Sequence, residues 1–262
     1  MCLIVFSFQE HTEYPLIFAG NRDEFHGRPA APAAFWDEAP RLLAGRDLKA
    51  GGTWLGLSRS GRFATVTNFR EPGDQRPDAR SRGELVTDCL LEDVEASDYL
   101  DDVHERGEAY NGFNLILGDA RTLYYLSNRD GTPRTLDPGL YGLSNGFLDT
   151  PWPKVRRAKM LLNRTIRSGN IAPEPLLDLL RDEERPADDE LPRTGLEMDV
   201  ERRASAIFIA DPTYGTRAST VVLIDRSGGV TFVERSYGPE GAQLGTETFR
   251  FDVDTNGSAA GE

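Results

Sequence analysis

The chain has 262 residues, 43 of them acidic and 30 basic, for a formal net charge of −13. Only three of the basic residues are lysines, Lys49, Lys154 and Lys159, and this balance excludes general nucleic-acid binding and suits a protein kept soluble in high salt. Two cysteines, Cys2 and Cys89, are too few for a disulfide framework, and a chain of this size buries roughly 70–75% of its unfolded surface, enough to need neither disulfides nor metal.

The opening "MCLIVFSFQEH" has no basic start and reaches polar residues too soon for a signal peptide. No stretch of about 18 apolar residues follows, so we expect a soluble, cytoplasmic protein with no transmembrane segment. "CLIVFSF" (2–8) and "YPLIFAG" (14–20) are β-branched and aromatic runs that read as a hairpin of core strands. "GGTWLGLSRSGRFATVTNF" (51–69) reads as strand, Ser-Gly turn, strand, with "GGTW" as a tight lead-in rather than a phosphate loop. Residues 70–84 are polar and long enough to serve as a lid. Apolar Leu85, Val86, Cys89, Leu90 and Val94 share one face of a helix over 82–94. A third hairpin over 112–128 turns at Gly118-Asp119. Helices follow over 152–169 and 173–184, and residues 182–201 read as a second long loop. The runs 204–212, 218–225 and 229–237 predict the last three strands, and 252–262 a frayed tail after a single domain over 1–251. Strands, then helices, then strands imply an α+β fold of two sheets covered by helices.

The most informative stretch is "AGNRDEFHGRPA" (19–30), where Asn21, Arg22, Asp23 and Glu24 end an apolar strand. If residues 9–14 form the hairpin loop, Cys2 opposes Asn21; a one-residue slip puts Arg22 there instead. Removal of Met1 would give Cys2 a free α-amine, which titrates near ~7.7–8.0 and can act as a general base for the adjacent thiol nucleophile. A nearby Arg22 lowers a thiol's pKa, Asp23 can orient the amine, and Asn21 can donate to a developing oxyanion. Those groups suffice for amide or ester hydrolysis. The competing reading is structural: Cys2 as a core residue and Arg22 with Asp23 or Glu24 as an ion pair fixing a strand end.

The ordered segments "MCLIVFSF", "FAGNRDEFHGRPA", "GGTWLGLSRSGRFATVTNFR", "GFNLILGD", "YGLSNGFLDTPWPKV" and "YGTRASTVVLID" resemble the NRDE family (Transport and Golgi organization protein 2-like), from Cys2 to about residue 237. The resemblance implies an N-terminal nucleophile hydrolase-like fold, a four-layer αββα sandwich of two antiparallel sheets. It also implies kinship with penicillin V acylases and bile salt hydrolases. Those enzymes use an N-terminal Cys, an Arg and an Asp on the second strand, two Asn and a late Arg. Cys2 matches the nucleophile, Asn145 in "LSNG" the second Asn, Arg217 in "GTRAST" the late Arg, and Asn68 in "TVTNF" an oxyanion donor. The acylases' Gly-Arg-x-x-Asp spacing is not kept in Gly20-Asn21-Arg22-Asp23-Glu24.

The function so implied is a cysteine hydrolase of a non-peptide amide or related acyl bond, needing no cofactor. The alternatives are a haem or acyl-CoA/lipid handling protein that uses the same cleft without chemistry, and an interaction factor in Golgi organisation or secretion. In the binding alternative, His26 or Cys2 serves as an axial haem ligand, with Asn21 and Glu24 beside it. Arg156, Arg157 and Arg164, on a helix rich in bases and free of acids, then receive an anionic group; otherwise that helix docks the acidic segment 182–190. The three histidines show no metal-ligand spacing.

Overall fold

The computed structural model describes residues 2–254. Strands β1 (Cys2–Phe8) and β2 (Leu16–Phe25) are followed by β3 (Ala30–Trp36), β4 (Ala39–Asp47), β5 (Leu55–Ser58) and β6 (Phe63–Asn68). Helices α1 (Arg82–Leu91) and α2 (Ala96–Glu105) precede β7 (Phe113–Gly118), β8 (Leu123–Ser127), β9 (Arg134–Thr135) and β10 (Gly139–Leu143). Three more helices, α3 (Pro153–Arg167), α4 (Pro173–Leu180) and α5 (Met198–Ala204), lead to β11 (Tyr214–Ile224), β12 (Gly229–Tyr237) and β13 (Gln243–Asp252).

The strands form two sheets, one ordered β10-β1-β2-β11-β12-β13 and the other β3-β4-β5-β6-β7-β8-β9. Every pairing within them is antiparallel. Period-two alternation explains the layering. Even-numbered Ile4, Phe6, Phe8, Leu16 and Phe18 meet Leu55, Leu57 and Phe63 of the second sheet in a central core. Odd-numbered Leu3, Val5, Ile17 and Ala19 pack on α3 and α4. Leu85, Val86, Cys89 and Leu90 of α1 cover the outer face of the second sheet. The result is the four-layer αββα sandwich of two antiparallel sheets.

Several elements differ from their sequence reading. The segment 204–212 is not a strand: Ala206, Ile207, Phe208 and Ile209 are buried, but α5 ends at Ala204 and the chain then runs irregularly to β11. An apolar run alone does not distinguish a strand from a buried coil. Residues 182–201 contain the start of α5. Strands β3, β4, β10 and β13 and helix α2 lie where no element was expected, since all but β4 are largely half-exposed or polar in pattern. Strand β13 runs to Asp252, and Val253 and Asp254 still donate backbone hydrogen bonds to Gly228 and Arg59; the rest of the expected tail, 255–262, lies outside the described residues.

One close approach positions the site. A Cβ on Gly52 would sit 2.5 Å from the Gly83 carbonyl carbon, and the Thr53 N–H donates to the Gly83 carbonyl at 3.3 Å. The "GGTW" lead-in thus pins the first turn of α1 against β5. Gly52→Ala should overpack this contact and destabilise the protein by about 2 kcal/mol, lowering Tm by about 4–8 °C. Gly27→Ala, where nothing lies within 4 Å of the new Cβ, should leave the thermal melt unchanged.

Candidate active site

Strand β2 is longer than β1 at one end, and this overhang builds the site. Cys2 pairs with Arg22 and Leu3 with Asn21, the slipped of the two registers. Beyond Arg22, β2 continues against β11, pairing Asp23 with Thr216 and Glu24 with Gly215. Alternation then divides the Asn-Arg-Asp-Glu cluster between two faces. Arg22 and Glu24 point into the space between the sheets, where Arg22 lies 3.7 Å from Asp47 of β4 and 3.6 Å from Glu24. Asn21 points to the helices. Its amide donates to the Leu180 and Ile207 carbonyls, both at 2.8 Å, and accepts from Ser219 Oγ at 2.6 Å. Fully buried and fully engaged, Asn21 stitches α4 and the coil before β11 to the sheet and is not presented to a ligand.

Cys2 is held from two sides: Arg22 lies opposite it in the ladder, and Ser144 Oγ donates to its carbonyl at 2.8 Å. The residue is 9% exposed, and its thiol opens on a cavity of about 690 Å³. Burial pushes that thiol up from its ordinary value, with Arg22 pulling the other way. The surroundings therefore favour a resting thiol that needs a base, rather than the thiolate expected from Arg22 alone. Burial likewise pushes the Asp23 carboxyl up, while Lys154, the Thr216 hydroxyl at 2.8 Å and Arg22 pull it down.

The expected Asn and Arg residues take different places. Asn68, the last residue of β6, lines the Cys2 cavity, and its exposed side-chain amide makes no hydrogen bond among the described residues. Asn145 stands behind it: its Nδ2 donates to the Asn68 carbonyl at 2.8 Å, and its Oδ1 accepts from Ser144. Arg217 lines the cavity while one nitrogen donates to the carbonyls of Phe25, His26 and Arg28, clamping the turn after β2. His26 lines neither of the cavities described here; its Nε2 lies 3.1 Å from the Asp211 carbonyl and burial lowers its affinity for a proton. Arg156 pairs with Glu190 and Arg157 with Asp182 and Glu184, so this basic helix docks the acidic segment 182–190. Arg156, Arg157 and Arg164 line neither of the cavities described here.

Two site residues escaped the sequence reading. Arg82, the first residue of α1, lines the Cys2 cavity and also a second one of about 570 Å³. Its guanidinium donates to the Gly112 carbonyl at 3.1 Å and pairs with no carboxylate among the described residues. Burial weakens its hold on its proton, with nearby acidic groups such as Glu71 and Glu24 pulling the other way. The other is Lys154, in the first turn of α3. It is 4% exposed, its Nζ has no hydrogen-bond partner, and burial lowers it to about 8 against the pull of Asp23. Only its place in "PWPKV", one of three lysines in an arginine-rich chain, marked it.

The two cavities differ in chemistry. The first is rich in charge: Arg76, Arg82 and Arg217 line it without a carboxylate partner among the described residues. The second is walled by Phe25, Phe69, Leu196, Val200, Ile209 and Tyr214. Asn68 and Arg82 line both. No group of three or more His, Cys, Asp or Glu that could hold a metal ion occurs among the described residues, and no helix there is long and apolar enough to cross a membrane.

This architecture, two stacked antiparallel sheets between helical layers, is the N-terminal nucleophile hydrolase-like fold. A solved mutant of the conjugated bile acid hydrolase from Clostridium perfringens shares the fold, with a TM-score of 0.50 and 9% identity over 97% of this chain and 93% of that one. The chain belongs to the Transport and Golgi organisation 2 family, whose model matches residues 1–239. It is 39% identical to the Transport and Golgi organization 2 homolog of Mus musculus, over 97% of this chain and 98% of the relative. It is 40% identical to the homolog of Homo sapiens, over 90% and 93%.

Two outcomes check this placement. Iodoacetamide should label Cys2 well before Cys89 in the folded protein, as read by peptide mass spectrometry, because Cys89 is wholly buried with its thiol pushed up to about 12. Asn21→Ala should cost about 3 kcal/mol in urea melts by orphaning two buried carbonyls, without changing the labelling rate of Cys2 in the folded protein.

Proposed function

We propose that the protein is a hydrolase of a non-peptide amide or related acyl bond, with Cys2 as an N-terminal nucleophile. The observation that carries this reading is that Cys2, Asn68 with its unengaged amide, and Arg82 line one cavity, and that Asn68 and Arg82 also line the second, apolar one. In this reading Met1 is removed and the Cys2 α-amine takes the thiol proton as sulfur attacks the acyl carbon. The carbonyl oxygen gains negative charge and accepts a hydrogen bond from Asn68. Collapse expels the leaving group, which takes the proton back from the ammonium. Water, deprotonated by the same amine, then releases the acid from the thioester and restores the thiol.

The lining of the cavities suggests how a substrate lies. An apolar acyl arm suits the Phe25–Tyr214 cavity, and a polar or anionic leaving group suits the arginines of the other. The apolar cavity also favours a second reading, a lipid carrier that uses the cleft without chemistry. Haem fits less well, because His26 turns its Nε2 to the Asp211 carbonyl and lines neither cavity. The part that relatives' names assign to Golgi organisation is compatible with either reading and rests on the names alone.

A panel of p-nitrophenyl esters and p-nitroanilides of carboxylic acids with graded apolar chains tests the proposal. Turnover should be abolished in Cys2→Ala, and should fall about 10²–10³-fold in Asn68→Ala through loss of an oxyanion donor. Saturable binding of the same compounds, with release no faster than in Cys2→Ala, would instead make the protein a carrier.

A further inference from the structure

Five charged side chains line the second cavity, and four of them, Arg70, Glu71, Arg203 and Asp211, sit in ion pairs. The fifth, Arg82, also lines the Cys2 cavity, as does Asn68. The interior of the second cavity is therefore apolar and balanced in charge. Its pairs differ in depth. Arg70 and Glu201 meet at 2.8 Å with side chains only 6% and 4% exposed, whereas Arg129 and Arg203, in the other two pairs, are far more open. The deep pair also joins two walls of the cavity. Arg70 belongs to the segment after β6 that supplies Asn68 and Phe69, and Glu201 to helix α5, which supplies Val200 and Ala204.

The lead-in to α5 has little else to hold it. Residues 192–196 make no backbone–backbone hydrogen bond among the described residues. The Thr194 N–H and hydroxyl both donate to Glu201, and Arg70 donates to the Thr194 hydroxyl at 3.3 Å. On the other wall, the Arg70 N–H donates to the Asn145 carbonyl at 2.7 Å, and Asn145 donates to the Asn68 carbonyl at 2.8 Å. One network thus runs from the lead-in of α5 to the backbone of Asn68. A buried ion pair adds little net stability over apolar side chains of the same volume; what it can add is one fixed arrangement.

We propose that Arg70 and Glu201 are positioning residues that make the second cavity a site for an aliphatic acyl chain, by holding α5 and its lead-in at a set distance from the segment that carries Asn68. This rests on the reading of the cleft as that of an acyl hydrolase. The chain lies along Leu196, Val200 and Ile209, with its carbonyl toward Asn68 and Arg82. A radial gap of about 0.5–1 Å forfeits roughly a quarter to a half of the dispersion attraction between facing atoms. Loosening the pair therefore costs affinity in proportion to chain length, which a general loss of stability does not.

The test is calorimetric titration of a graded series of straight-chain p-nitroanilides into Cys2→Ala, which lacks the nucleophile. Binding should tighten about fourfold per added methylene until the cavity is full. Adding Glu201→Gln should reduce that factor to about two- to threefold, so that the longest chains lose most. An equal loss at every chain length, or no loss, overturns the proposal, as does binding to Cys2→Ala that ignores chain length. Should Glu201→Gln not fold, because it takes the carboxylate from a buried arginine, Arg70→Met combined with Glu201→Leu removes both charges at similar volume. That double variant should fold and show the same reduced factor. A factor still at about fourfold would mean that packing alone sets the wall, and overturns the proposal. A wild type that turns over no member of the series, while the chain-length dependence and its loss in Glu201→Gln persist, refutes the hydrolase reading and supports the chain site.

Discussion

The overhang of β2 past the start of β1 is the constraint on which the site depends. A strand can pair with only one neighbour on each edge, so where β1 ends the edge of β2 is left to the cleft and its helical side. At that point the pleat sends Arg22 and Glu24 toward the second sheet and Asn21 and Asp23 toward the helices. Four consecutive polar residues thereby serve two different environments. Two of them line a charged cavity together with Cys2, and the other two tie the sheet to α4 and β11. Shifting the register by one residue would exchange the faces and put an amide where the thiol now meets a guanidinium.

The second sheet supplies what β1 and β2 lack. The end of β6 brings Asn68, and the approach of Gly52 to Gly83 brings the first turn of α1 with Arg82. Neither contact depends on the Asn-Arg-Asp-Glu cluster, so Cys2 and Asn68 are held by different parts of the core. Asn145 links the halves, since it supports the Asn68 carbonyl while its neighbour Ser144 holds the Cys2 carbonyl. A buried acid adds to the polar cost of this cleft: Glu234 accepts from the Ala33 N–H at 2.7 Å, and burial raises its carboxyl to about 7. Both oxygens of Glu234 are engaged, the second by the Thr220 hydroxyl, whereas the buried Lys154 ammonium has no hydrogen-bond partner and costs stability.

The sequence made the layering legible because the core strands alternate cleanly. β1, β5 to β8 and β12 are short apolar runs bounded by turn residues, and α1 and α3 show helical periodicity. The edges were hidden. β3 and β13 bury few residues, so their patterns carry little of the period-two signal. The buried coil at 206–209 carried too much of it. Within the site, Cys2, Arg22 and Asn68 could be read from position and resemblance. The face to which Asn21 points followed only from the register, which the hairpin loop left open between two choices. Arg82 and Lys154 could not be found, because each acts through a long side chain reaching from a helix whose periodicity reports only its apolar face.

The central claim is that the first residue of β1 becomes the chain's reactive end. It is tested most directly by acid-quenching the wild-type protein during turnover of an acyl ester and mapping the N-terminal peptide by mass spectrometry. The account predicts a peptide that begins at Cys2 and carries the mass of the acyl group, with no such adduct in Cys2→Ala. An N-terminal peptide that retains Met1 and remains unmodified while the ester is consumed would contradict it.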